Sequence, residues 1–179
     1  MSKKIFFIIL FFNLVGASFA EKKLESKYFF IYLQDDIDII NLAKKLDIRS
    51  EYLLNSSFLD EPKIILAKII DAIFLEVSDI LDIHLESFKG NIKIYKDFDE
   101  LNKIFKSFFD KNLNTFSFYI SSSNTIFIDF ENIKAEVLAH EIAHAIINRY
   151  FVVLPPVNVQ EILSKYVEYK IKKLATKNQ

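Results

Sequence analysis

The sequence predicts an α+β fold, because strand-like and helix-like patterns are mixed along the chain without a regular βαβ alternation. Hydrophobic residues make up 51% of the 179 residues and charged residues 26%, a composition typical of globular domains and not of disordered chains. No stretch rich in Pro, Gly or Ser divides the chain after residue 20. We therefore expect residues 21–179 to form a single domain.

The first twenty residues have the features of a secretory signal peptide. Lys3 and Lys4 precede an apolar run over residues 5–12, and small residues at Ser18 and Ala20 favour cleavage before Glu21. An uncleaved anchor is the alternative, but the apolar stretch is shorter than the roughly 20 residues that span a bilayer. We expect export to the periplasm or the extracellular space, and a mature protein that does not span a membrane.

The first half of the domain mixes short strands with helices. Residues 28–33 predict a strand, and apolar spacing over 36–46 predicts a helix. Pro62 after two acidic residues marks the start of a helix whose broad apolar face runs to about residue 81. Residues 91–95 then alternate as a strand, and residues 99–109 have the spacing of an amphipathic helix.

The second half predicts a hairpin followed by two helices. The strand-like runs 116–120 and 125–130 are separated by four polar residues, which is a hairpin signal. A long helix is expected over about 132–150. Pro155 and Pro156 end it, and Asn158 is a suitable N-cap for a last helix that runs to about Leu174.

Composition excludes several classes of function. The chain has no cysteine, so disulfide scaffolds, Cys-ligated zinc sites and thiol catalysis are excluded. Two glycines cannot build a Gly-rich phosphate loop. The formal net charge is −1, and loss of the two leader lysines makes the remainder more acidic. Such a domain has no electrostatic reason to bind nucleic acid.

The most informative residues are His140-Glu141-Ile142-Ala143-His144. Residues 140 and 144 lie about 40° apart around a helix, so both imidazoles leave on one face and can share one Zn²⁺. Glu141 is then placed to act on water as a general base. The alternative is a pair of core histidines satisfied by backbone carbonyls, with Glu141 bridging them.

A hydrolytic zinc site usually takes a third protein ligand. His84 is far upstream and is expected to be a surface or capping residue. Glu161 is favoured because it lies in the first turn of the next helix, 17 residues after His144, and a tight turn at Pro155 and Pro156 could bring it back across the motif helix. Glu168, one heptad further on a similar face, stays open as an alternative. Both glutamates also have structural interpretations, as part of a capping box with Asn158 or as i,i+4 partners of lysines.

The motif is followed by a proline and then by the stretch Gln160-Glu161-Ile162-Leu163-Ser164-Lys165-Tyr166. Together these features resemble the gluzincin metallopeptidases, and most closely the peptidase MA-like bacterial proteins. The resemblance covers about residues 115–170. It implies a zincin-like fold with a small mixed or antiparallel sheet and an edge hairpin packed on the motif helix. It also implies one Zn²⁺ held by His140, His144 and Glu161, with Glu141 as the catalytic base.

The chain also departs from this family. Ile162 replaces the usual Gly after the ligand Glu, and Ser164 replaces a small Ala. Lys165 stands where thermolysin-like enzymes have an Asp that orients a ligand histidine, so no residue is assigned to that role. The metzincin branch is excluded because Ile147 and Tyr150 occupy its Gly and third-His positions.

In zincins an edge strand before the motif helix binds the substrate backbone, and the runs 116–120 and 125–130 are the candidates, with ordinary sheet as the alternative. Tyr119, Tyr150 and Tyr166 are candidate donors to the transition state. The leading hypothesis is an exported zinc-dependent peptidase that acts on a peptide or protein substrate. The alternative is a non-catalytic envelope module that retains a zincin fold, with or without structural zinc.

Overall fold

A five-stranded mixed sheet and five α-helices form the structure, a computed structural model that describes residues 21–54 and 60–175. The predicted signal peptide, residues 1–20, lies outside the described residues. The strands are β1 (Glu21–Glu25), β2 (Phe29–Gln34), β3 (Gly90–Tyr95), β4 (Ser117–Ile120) and β5 (Thr125–Asp129). The helices are α1 (Ile39–Lys45), α2 (Pro62–Leu81), α3 (Phe98–Phe109), α4 (Ala135–Tyr150) and α5 (Val157–Ala175).

The strands are arranged in the order β1-β2-β3-β5-β4. The three central strands β2, β3 and β5 are parallel, and an antiparallel strand flanks them on each side. The β4–β5 hairpin pairs Ser117 with Ile128 and Ile120 with Thr125, which places β4 on the outside of the sheet. The predicted α+β class and the hairpin are thus confirmed, and the sheet is mixed.

The main core lies between one face of the sheet and helices α1, α2, α4 and α5. Alternate residues of the central strands supply it, because successive side chains of a strand point to opposite faces. Helix α3 covers part of the other face, where Leu101 packs with Phe127 and Phe118 stacks on Phe127 at 4.8 Å between ring centroids. No helix among the described residues is long and apolar enough to cross a bilayer.

Three predicted helix starts were wrong by a few residues. Helix α1 begins at Ile39 and not at residue 36, because Asp38 is its N-cap and accepts from the backbone N–H groups of Ile40 and Asn41. Helix α4 begins at Ala135, since Asn132 is held in a turn by its backbone N–H, which donates to Asp129 Oδ1 at 2.8 Å. Helix α5 begins at Val157, directly after Pro156, so Asn158 lies inside the first turn and does not cap it. Strand β1 was missed because Leu24 is its only apolar residue.

Candidate metal centre

Helix α4 carries the three motif residues and packs against both the sheet and α5. Its buried positions include Leu138, Ala139 and Ile142, which fix the helix on the core. Glu141 is buried with them, whereas His140 and His144 are half-buried and line a cleft. The helical spacing therefore holds both imidazoles on the cleft side of a rigid element.

The ring nitrogens of the two histidines converge on one point together with Glu161. His140 Nε2 and His144 Nε2 are 3.3 Å apart, and Glu161 Oε1 lies 3.3 Å from His144 Nε2. Glu161 Oε2 lies 3.8 Å from His140 Nε2. Ligand atoms of a tetrahedral zinc site with bonds of about 2.0–2.1 Å are about 3.3 Å apart. His140, His144 and Glu161 could therefore hold a metal ion with little rearrangement.

Glu168 lies on the other side of the His140 ring. Its Oε2 is 3.2 Å from His140 Nδ1, while Glu161 is on the Nε2 side. A carboxylate oxygen accepts from the Nδ1–H of the neutral ring, which leaves the Nε2 lone pair free for a metal. From the sequence, Glu161 and Glu168 were alternatives for the third metal ligand. In the structure they contact different nitrogens of the His140 ring.

Glu141 is held by a residue that sequence analysis did not single out. The Ser117 hydroxyl, on β4, donates to Glu141 Oε1 at 2.7 Å. Burial raises the pKa of Glu141 to about 7, and the charges of Glu161 and Glu168 add to the rise while the Ser117 hydrogen bond opposes it. A lone serine on a strand carries no sequence signal for this role, because the contact joins residues 24 positions apart.

His144 is also perturbed by its surroundings. Burial, followed by the charge of neighbouring His140, lowers the pKa of His144, and Glu161 opposes the effect. A lowered pKa favours the neutral imidazole, which is the form that binds metal. The third histidine, His84, follows α2 with a side chain that is 62% exposed, and its Nδ1 lies 3.8 Å from Asp79 Oδ1.

The cleft around these residues has a volume of about 400 Å³ and is open to solvent. Strand β4 and the preceding Thr115 form one wall, and the first turns of α5 contribute Val157, Gln160 and Glu161. Asn148 also lines it, and its Nδ2 donates to His144 O at 2.9 Å. The outer strand of the sheet therefore borders the candidate metal centre directly.

The three candidate tyrosines lie in different places. Tyr119 on β4 lines the cleft, and its hydroxyl donates to Asn124 Oδ1 at 3.0 Å. Burial raises the pKa of Tyr119 to about 12, so its hydroxyl stays protonated and able to donate at neutral pH. Tyr150 at the end of α4 and Tyr166 on α5 are exposed and do not line the cleft.

Two imidazoles and one carboxylate form a donor set that suits zinc, and a fourth position left for water makes such a site hydrolytic. Here Glu141 lines the same cleft without belonging to the ligand set. The arrangement can therefore place a base beside a metal. No protein-family model, curated protein or solved structure matches the chain.

Proposed function

We propose that this protein is a gluzincin-type zinc metallopeptidase with a zincin-like domain, exported by its predicted leader. The observation that carries the proposal is that Glu141, a buried carboxylate outside the ligand set, faces the cleft on which His140, His144 and Glu161 converge. A purely structural zinc site needs ligands but no base. Export depends on residues 1–20 and stays a prediction.

The ligands and the residue that orients one of them come from two helices, α4 and α5. His140 and His144 hold the metal from α4 and Glu161 holds it from α5, while Glu168 fixes the ring of His140 through Nδ1. When bound, zinc supplies a Lewis acid that makes water more acidic and polarises a carbonyl. The chain's own task is then to accept a proton from water and deliver it.

Glu141 performs that proton transfer in the proposed mechanism. Ser117 occupies Oε1, so the carboxylate is held in place while it takes a proton from the attacking water. Glu141 then gives the proton to the leaving amine as the peptide bond breaks. Burial raises the pKa of the Glu141 carboxyl, and the positive charge of bound zinc would lower it, which keeps the carboxylate available as a base.

Strand β4 is the proposed binding site for the substrate backbone. It is the outer strand on this side of the sheet and lines the cleft. An extended peptide could add to its free edge as a further strand, with main-chain hydrogen bonds giving affinity. Of the three candidate tyrosines, only Tyr119 lines the cleft. To donate to a substrate, its hydroxyl would exchange Asn124 Oδ1 for the substrate oxygen.

The decisive experiment combines zinc stoichiometry by native mass spectrometry with a peptide-library cleavage assay. We expect one zinc per chain and its loss in His144→Ala. Glu141→Gln should keep the zinc and lose hydrolysis by at least about 100-fold, the usual contribution of a general base. Glu136→Gln, in the first turn of the same helix, is the matched control and should change neither.

A folded protein that refuses zinc would refute the proposal. Zinc binding without hydrolysis of any peptide, with a cellular role unchanged by Glu141→Gln, would instead support a non-catalytic module that retains the site.

A further inference from the structure

Helix α5 has a second apolar face that points away from the core. Its inner face buries Ser164, Val167 and Ile171. At about 100° per residue, the exposed Val159, Ile162, Tyr166 and Tyr169 fall within an arc of about 80° on the opposite side. We call these four residues, together with the lysines beside them, the outer face of α5.

The loop between α4 and α5 continues this apolar surface. Val152 is as exposed as in an unfolded chain, at 102%, and Val153 is 84% exposed. Leu154 follows, and Pro155 and Pro156 restrict the backbone behind it. Contiguous exposed apolar side chains on a loop and on the helix that follows it mark an interaction site, whereas single exposed apolar residues do not.

The charges on α5 are divided between its two sides. Lys173 lies within the apolar arc, and Lys165, Lys170 and Lys172 lie within about 60° of its edges. The two acidic residues of α5, Glu161 and Glu168, are turned towards the histidines of α4. Lys170 and Lys173 therefore belong to the apolar stripe, where each Nζ lies over a tyrosine ring, whereas Lys165 and Lys172 border the side that carries Glu161 and Glu168.

We propose that the outer face of α5 and the residues 152–154 dock on an anionic membrane surface. Basic amphipathic helices with tyrosines lie at the interface between headgroups and acyl chains, where lysines reach the phosphates. The Nζ of Lys173 already lies 4.2 Å from the centroid of the Tyr169 ring, so cation and ring present one mixed surface. In this arrangement Val152 and Val153 insert between the acyl chains of the outer lipids.

Charge disfavours the main competing occupant, a second copy of this chain. Two outer faces in an isologous dimer would bring Lys170 and Lys173 of one copy close to the same lysines of the other, and these charges repel one another. An anionic bilayer matches both the lysines and the exposed aliphatic side chains of the loop. Docking in this way would bring the first turns of α5, and with them the cleft, close to the membrane.

Vesicle sedimentation tests the proposal with the full-length protein. The probes are vesicles of phosphatidylcholine alone and of an equal mixture of phosphatidylcholine and phosphatidylglycerol. We expect stronger binding to the anionic vesicles, weakened when salt is raised to about 1 M, where the Debye length is about 3 Å. Lys170→Gln/Lys173→Gln and Val152→Ser/Val153→Ser should each weaken anionic binding roughly tenfold or more.

Matched control variants show whether an effect belongs to the outer face of α5 and residues 152–154, or follows from losing any two exposed aliphatic residues or lysines. Ile40→Ser/Leu54→Ser removes two exposed aliphatic side chains elsewhere, and Lys106→Gln/Lys111→Gln removes two lysines near the end of α3. Both should bind like the parent, and any contribution of residues 1–20 is common to all variants. His144→Ala should also keep vesicle binding, because docking does not depend on the metal centre.

Equal binding to neutral and anionic vesicles, or anionic binding that survives both test variants, would overturn the proposal. A dimer that Val152→Ser/Val153→Ser dissociates, without selective vesicle binding, would assign the surface to a second copy instead.

Discussion

The buried carboxylate of Glu141 makes stability depend on pH. Its pKa rises from an ordinary 4.5 to about 7 because burial disfavours the charged form. Between these two values the folded state retains a proton that the unfolded chain has lost. The protonated Glu141 therefore contributes fully to the free energy of unfolding at low pH. This contribution is lost as pH rises through the window from 4.5 to about 7.

We predict that metal-free Glu141→Gln lacks this loss. Gln keeps an acceptor for the Ser117 hydroxyl but carries no proton to release. Relative to the variant, the parent protein should lose roughly 3 kcal/mol of unfolding free energy between about pH 4 and pH 8. Urea titrations with a chelator at several pH values measure it. Parallel pH profiles for the two proteins would contradict the raised pKa.

The contact between Glu168 and His140 Nδ1 predicts an indirect effect on metal affinity. Glu168→Ala removes the acceptor that orients the ring, and loss of such partners typically weakens metal binding by about 10–100-fold. Glu168→Gln keeps an acceptor oxygen and should lie closer to the parent. Competition with a zinc chelator measures the Kd directly, and Lys165→Ala on the same helix is the control. Equal Kd values for Glu168→Ala and the control would exclude this role.

At the scale of single elements, β3 depends on the absence of a side chain at Gly90. A Cβ there would lie 3.1 Å from ring carbons of Phe29 and Phe88, which pack edge to face with a centroid distance of 5.4 Å. Both rings also pack against Phe74, so a shift of either ring disturbs that contact. The close approach of β3 to this aromatic cluster therefore requires glycine.

We predict that Gly90→Ala destabilises the protein by about 1–3 kcal/mol, the usual effect of overpacking. Chemical denaturation measures the change, with Lys93→Ala on the same strand as the control. Phe88→Leu makes room beside the new methyl group, so the double variant should lose less than the sum of the two single changes. If the losses in the free energy of unfolding are additive, the contact between the new methyl group and Phe88 is not what destabilises Gly90→Ala.

The elements that sequence predicted well are those with strong periodic patterns. The apolar face of α2 and the β4–β5 hairpin lie within a few residues of their expected bounds. Strand β1 has no such pattern, because an outer strand exposes most of its residues and Leu24 alone enters the core. Its pairing with β2 is decided by backbone hydrogen bonds, which a hydrophobic pattern does not reveal.

In the candidate site, too, only the features set by a local sequence pattern could be predicted. Two histidines one helical turn apart follow from helix geometry alone, so their convergence could be foreseen. The separate contacts of Glu161 and Glu168 depend on how α5 crosses α4, which no local spacing specifies. Ser117 could not be identified, because β4 meets α4 only through the tertiary fold.

For the whole molecule, a metal that binds only the folded state should raise the melting temperature. At about a thousandfold excess of zinc over its Kd the expected stabilisation is about 4 kcal/mol, or roughly 10 °C for a chain of this length. His144→Ala should abolish the zinc-dependent shift. His84→Ala removes the exposed third histidine and should retain it. Scanning calorimetry with and without zinc provides the measurement, and a shift that persists in His144→Ala would place the binding elsewhere.

The outer position of β4 also has a consequence for behaviour at high concentration. The strand Ser-Phe-Tyr-Ile carries no charge, whereas β1 on the opposite side of the sheet carries four charged residues in five. Charged side chains discourage chains from joining edge to edge, and only β1 has them. Self-association should therefore begin at β4, held back mainly by the shortness of that strand. The edge that suits an incoming peptide is the one that limits solubility, and a bound peptide should suppress aggregation by covering it.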